Sequence, residues 1–246
     1  MMKGQFRLKR RGEDFFFLFF FVSYRFFFFV LLQSGSALSS RGFVEVSGRT
    51  VSTYPQLPGR DQREGSPICD SYFAQVQKDG VVLVCIADGC GWGSRPREAA
   101  IKAKVAMVDH ISKHLPVLRE AQAVAEILVR SLGEAHFKVT VVSASVGNGW
   151  FIIFFFQVIE GKDDINAAGT TTLLGGVLAP IDKMDRMFCF MFVSIGDCKA
   201  YCRKSSTGKI IDLTLGSRNN VSDAKDPGGR IGPHNKSKFW SSLWFG

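Results

Sequence analysis

The chain has 246 residues, 46% of them hydrophobic and 22% charged, and a formal net charge of +9. That length suits one ordinary domain with a tail, and the apolar fraction excludes a chain disordered by composition. The basic excess would suit an anionic partner, but Lys and Arg are scattered and no helix-turn-helix, zinc-finger or aromatic RNA-binding pattern accompanies them, so no nucleic-acid partner is expected.

Phenylalanine dominates the amino-terminal part. Of 23 Phe residues, 14 fall within residues 15–32 and 151–157. The first stretch, FFFLFFFVSYRFFFFVLL, is close to the minimum length of a membrane-spanning helix. Lys9, Arg10 and Arg11 precede it, and Gly35, Ser36 and Ala37 follow it, which is also the layout of a signal peptide. Arg25, in mid-segment, argues against both, because a charge is costly in hydrocarbon. The third reading is translated intron. A pyrimidine tract followed by CAG reads in frame as Phe and Leu ending in Gln, and the two stretches end at Gln33 and Gln157. Val139-Thr140 can be encoded as a splice donor, and removing 139–157 preserves the frame; on this reading that segment packs poorly against the domain. All three readings stand for 15–32, so a cytoplasmic protein is expected, or a membrane-anchored one if that stretch is a span.

Residues 35–65, rich in Ser, Gly and Arg, read as a linker. The expected organisation is an amino-terminal segment over 1–58, a domain over 59–233 and an irregular tail over 234–246. Within the domain, the apolar run 81–87 (VVLVCIA) predicts a strand buried on both faces. A helix follows over 97–114, with Ala100, Ala103, Met107, Val108 and Ile111 at helical spacing. Pro116 interrupts, and a second helix runs over 118–137 with Val124, Ile127, Leu128 and Leu132 on its buried face. Strands are expected at 170–178, 187–195, 199–203 and 210–213, giving an α+β layered domain with helices packed on sheet. The tail shows neither strand nor helix period.

Six cysteines, Cys69, Cys85, Cys90, Cys189, Cys198 and Cys202, match no zinc-ligand spacing and read as reduced thiols. Three short motifs remain. In Ala87-Asp88-Gly89-Cys90-Gly91-Trp92-Gly93, a carboxylate ends a buried strand and enters a glycine-rich loop, an arrangement that suits a cation or an ordinary strand-to-helix turn. Gly169-Thr170-Thr171-Thr172 opens a β-branched strand with no titratable group and reads as structural. Gly196-Asp197-Cys198-Lys199-Ala200 sets another Asp at a tight turn, whose plain reading is a hairpin.

In this order the motifs resemble the metal-dependent protein phosphatase family of the 2C type. Its hallmarks are a strand ending in Asp-Gly-His-Gly-Gly, a Gly-Thr-Thr strand and a Gly-Asp-Ser-Arg-Ala turn. Upstream, Cys69-Asp70-Ser71-Tyr72-Phe73 is similar to the family's early Glu-Asp motif, with the second acid kept. The resemblance covers 59–233. It implies a monomeric hydrolase with two β-sheets flanked by helices, two Mn²⁺ or Mg²⁺ ions between them, and a metal-activated water that attacks phosphoserine or phosphothreonine proteins. On this basis Asp88 is the bridging metal ligand and the catalytic carboxylate, and the Gly89 carbonyl is a second ligand. Asp70 lies near the ions, and Asp197 close to the site, serving a further ion. Cys90 stands where the family has its proton-donating His, and Arg63 is the nearest match to the phosphate-binding Arg, with Arg60 next. The family's late Ser-Asp-Gly motif and final Asp have no counterpart here. The resemblance therefore implies a C-terminally incomplete domain with weak metal binding and an unpaired sheet edge.

Overall fold

A computed structural model describes residues 15–22, 26–33, 43–50, 54–77, 80–114, 121–140, 169–180, 188–204, 207–215, 229–232 and 240–245. The chain opens with β1 (Phe15–Val22), β2 (Phe26–Gln33) and β3 (Phe43–Thr50), each antiparallel to the next. There follow β4 (Asp70–Val76), β5 (Val82–Gly89), α1 (Ser94–His114) and α2 (Ala121–Thr140). The remainder is β-structure: β6 (Thr171–Pro180), β7 (Phe188–Ile195), β8 (Lys199–Lys204), β9 (Ile210–Asp212) and β10 (Trp240–Phe245). The elements form an α+β fold with two antiparallel five-stranded sheets, in the orders β3-β2-β1-β8-β9 and β10-β7-β6-β5-β4.

The central strands β5, β6 and β7 of the second sheet are apolar on both faces, and parity decides which layer each residue joins. In β5, Leu83, Cys85 and Ala87 pack with α1 and α2, around Ala100, Ala103, Met107, Ile111, Leu128 and Leu132. The alternate residues Val82, Val84 and Ile86 join Leu174, Phe190 and Phe192, and meet Cys198, Ala200 and Cys202 of the segment leading through β8. A strand has period two, so this split follows from a continuous apolar run placed between two covering layers. At Gly175 in β6, an added Cβ would lie 2.4 Å from the Met107 sulfur, so the missing side chain lets α1 settle on the sheet.

The sequence expectations need correction at four places. Residues 15–32, for which a single membrane-spanning helix is one of three readings, contain two strands, because ten Phe and the other apolar residues favour a sheet when a neighbouring strand, β8, pairs with them. The 35–65 linker contains β3 and a turn-rich loop held by Leu57 N–H to Gln62 O (2.8 Å) and Glu64 N–H to Pro55 O (3.0 Å). The tail contains β10, paired with β7 along Trp240↔Ser194 to Phe245↔Cys189, so the β7 edge is covered. Val139, expected to pack poorly, is a buried residue of α2; residues 141–157 lie outside the described residues. Among the described residues, no helix is long and apolar enough to cross a membrane.

Candidate metal centre

Asp88 is placed by parity. It is the next even-numbered residue after Ile86 on β5, so it shares the face turned toward the first sheet, at the carboxyl end of the strand. Gly89 is buried, and a Cβ on it would lie 2.3 Å from the Pro96 carbonyl oxygen. Only a residue without a side chain can pass under the first turn of α1 at that point.

The partner of Asp88 on one side is Asp70. The β4–β5 register sets the two residues directly opposite each other. The Gly89 N–H donates to the Cys69 carbonyl at 3.3 Å in the same register, so Cys69 and Gly89 form the hydrogen-bonded pair and Asp70 and Asp88 the non-hydrogen-bonded one. That is the closer of the two pair types, with Cα atoms about 4.5 Å apart and side chains on one face. On the other side, Asp88 faces Thr172 of β6. The Thr171 hydroxyl donates to the Asp88 carbonyl at 2.8 Å, which fixes the strand end from the Gly-Thr-Thr segment.

Asp197 arrives from the turn between β7 and β8. Gly196 has φ +96°, and a Cβ there would lie 2.3 Å from Thr172 Cγ2, so the turn is seated on the residue beside Asp88. The buried Cys198 places its Sγ 3.2 Å from Thr172 Oγ1. Burial pushes the Cys198 thiol well up; the Thr172 contact opposes this, and the charges of Asp88, Asp197 and Asp70 push it further up.

Cys90 lies at the same rim, where its N–H donates to Thr170 O at 2.8 Å. Burial pushes its thiol up to about 11, against a hydrogen bond from Thr170 and the positive charge of Arg230, with Asp88 and Asp197 adding to the rise. Such a thiol stays protonated at neutral pH. Lys199, next to the Gly-Asp-Cys turn, is engaged by Asp212 at 3.1 Å.

Arg63 sits in the exposed loop before β4, where its Nη1 donates to the Tyr54 carbonyl at 2.7 Å. That loop is joined to the glycine-rich one, since Trp92 Nε1 donates to Tyr54 Oη at 2.9 Å and the two rings meet edge to face at 5.3 Å. Arg60 lies in the same loop, its carbonyl accepting from Gln56 Nε2. Sequence reasoning missed Arg230. It is brought to the rim by the bridge between Thr171 and Ile231, a pairing with no local signal.

Opposed carboxylates repel unless a cation lies between them. Their hard oxygens suit Mg²⁺ or Mn²⁺, and Mg²⁺ is ordinarily held by one or two carboxylates with water completing its shell. Asp70 and Asp88 thus fit one such ion. Among the described residues, no three His, Cys, Asp or Glu side chains are grouped to hold an ion, which falls short of a two-ion protein cage. None of the six thiols is bridged by a disulfide.

Compared with protein-family models and with curated proteins, the chain matches none.

Proposed function

We propose that this chain is a metal-dependent protein serine/threonine phosphatase domain of the 2C type, with a two-sheet sandwich of that family's kind and with impaired turnover. The observation that carries the reading is the direct cross-strand pairing of Asp70 with Asp88 on the inter-sheet face, beside the Asp197 turn. Three motifs separated by more than a hundred residues of sequence meet at one rim, in the order in which the family carries them. Asp70 and Asp88 would hold one divalent cation, with the Gly89 carbonyl next to Asp88 in the chain and water completing the shell. A bound cation of this class supplies an acidified water and offsets phosphoryl charge. The Thr171 hydroxyl holds the strand end that presents Asp88. The substrate class is a phosphoserine or phosphothreonine protein.

Two features favour a non-catalytic phosphatase-like module as the second reading: the Cys90 thiol, a weak acid at the leaving-group position, and the short ligand set. Mn²⁺ titration of the purified chain separates the outcomes, followed by hydrolysis of a phosphothreonine peptide, each beside Asp88→Ala. Mn²⁺ binding and slow turnover that both vanish in Asp88→Ala support the phosphatase. Binding without turnover supports the module, and no Asp88-dependent Mn²⁺ binding rejects the phosphatase.

A further inference from the structure

The segment Gly229 to Gly232 lies across the rim and is fixed on three sides. Ile231 exchanges both backbone hydrogen bonds with Thr171, at 3.0 and 2.7 Å, and forms an isolated antiparallel bridge. The Gly229 carbonyl oxygen lies 3.0 Å from where a Cβ on Gly196 would sit, so the segment passes over the turn that carries Asp197. A Cβ on Gly232 would lie 2.8 Å from the Gly169 carbonyl oxygen. These approaches leave little freedom for the backbone on either side of Arg230.

Alternation then sets the direction of Arg230. Ile231 is fully buried in the helix-side core. In extended chain, successive side chains take opposite faces, so Arg230 belongs to the inter-sheet face, the face of Asp88 and Thr172. Its charge pulls the Cys90 thiol down, against Asp88 and Asp197, which push it up. It is half-buried. The rim carboxylates by themselves repel a phosphate dianion, whereas a guanidinium fork matches phosphate oxygens in pairs. Arg63 is turned to its own loop, on the Tyr54 carbonyl.

We propose that Arg230 is the phosphate-binding cation of this rim, holding the phosphoryl oxygens of a phosphomonoester beside the Asp70–Asp88 pair. The inference rests on the phosphatase reading for its substrate class. It is tested with inorganic phosphate as the probe, titrated by ³¹P NMR into the full chain with and without Mg²⁺. Arg230→Ala is expected to weaken phosphate binding about tenfold or more, as loss of a charge-assisted contact does. Arg230→Lys should fall between, and Arg63→Ala should bind as the unchanged chain does. Circular dichroism confirms that the variants fold, and Arg230→Lys carries the comparison if Arg230→Ala does not. Phosphate binding that is absent in the unchanged chain, or undiminished in the Arg230 variants, overturns the proposal. Mn²⁺ affinity, measured separately and expected to be lost only in Asp88→Ala, reports on the cation site. If it is absent from the outset the phosphatase reading fails, while the metal-free phosphate titration still decides the role of Arg230.

Discussion

Asp88 faces Asp70 across a close strand pair, and that pairing sets opposite expectations with and without metal. In metal-free solution, Asp88→Asn relieves a like-charge pair and should raise unfolding stability by about 0.2–1 kcal/mol. With the ion at a hundredfold excess over its Kd, the unchanged chain should gain about 2.7 kcal/mol and the variant nothing. Urea unfolding with EDTA and with Mn²⁺ measures both signs; a variant less stable in EDTA would contradict the pairing. Cys90 supports a second expectation. Its thiol, pushed up to about 11, yields a proton reluctantly, and a general acid is ordinarily worth about 10² to 10⁴ in rate. On the phosphatase reading, Cys90→His should raise kcat for a phosphothreonine peptide by about 10²-fold. It should leave p-nitrophenyl phosphate nearly unchanged, because that leaving group needs no proton. Equal gains on both substrates would show that His acts in some other way.

The elements that sequence reasoning found are those whose signal is local. The run before Asp88 gave β5, and the helical spacing of Ala100, Ala103, Met107 and Ile111 gave α1. The strands β6 to β9 were found near their observed ends. The Phe runs of β1 and β2 carry no period-two alternation, so their strand state comes from pairing with β3 and β8 rather than from their own pattern. The same holds for the site: Asp88 at a strand end was legible, but its register with Asp70 and the bridge that delivers Arg230 are non-local. Another non-local contact carries a pH expectation. His136 of α2 accepts the Gly232 N–H at its Nδ1 at 3.4 Å, which requires the neutral ring, and burial lowers its pKa. His110 of α1 is lowered too, first by burial and then by His114. The unfolded chain takes up these protons near pH 6.5 and the folded chain only lower. Their contribution is therefore full above about 6.5 and is lost as pH falls through the lowered folded values. His136→Leu should cost about 1 kcal/mol at pH 7.5 through the unmet Gly232 N–H and should flatten the decline toward pH 5. Urea midpoints at the two pH values measure this, and an undiminished slope would assign the pH response elsewhere.

At the scale of the molecule, the second sheet is the middle layer, with α1 and α2 on one face and the β8 layer on the other. Both faces of β7 are therefore occupied, and what protects this strand from other chains is its edge. Its sequence, FCFMFVSI, has no charge and no proline and is rich in β-formers, which marks a strongly associating segment once its backbone is uncovered. One edge pairs with β6 and the other with β10. Removing residues 240–246 would leave the second edge with a row of unmet N–H and C=O groups. The described core residues on both faces of β7 are supplied by the other elements. The shortened chain is therefore expected to fold with near-native circular dichroism but to associate through β7. Light scattering at matched concentrations should rise with time for the shortened chain and stay flat for the full one. A shortened chain as soluble and as stable as the full one would show that β10 does not guard this edge.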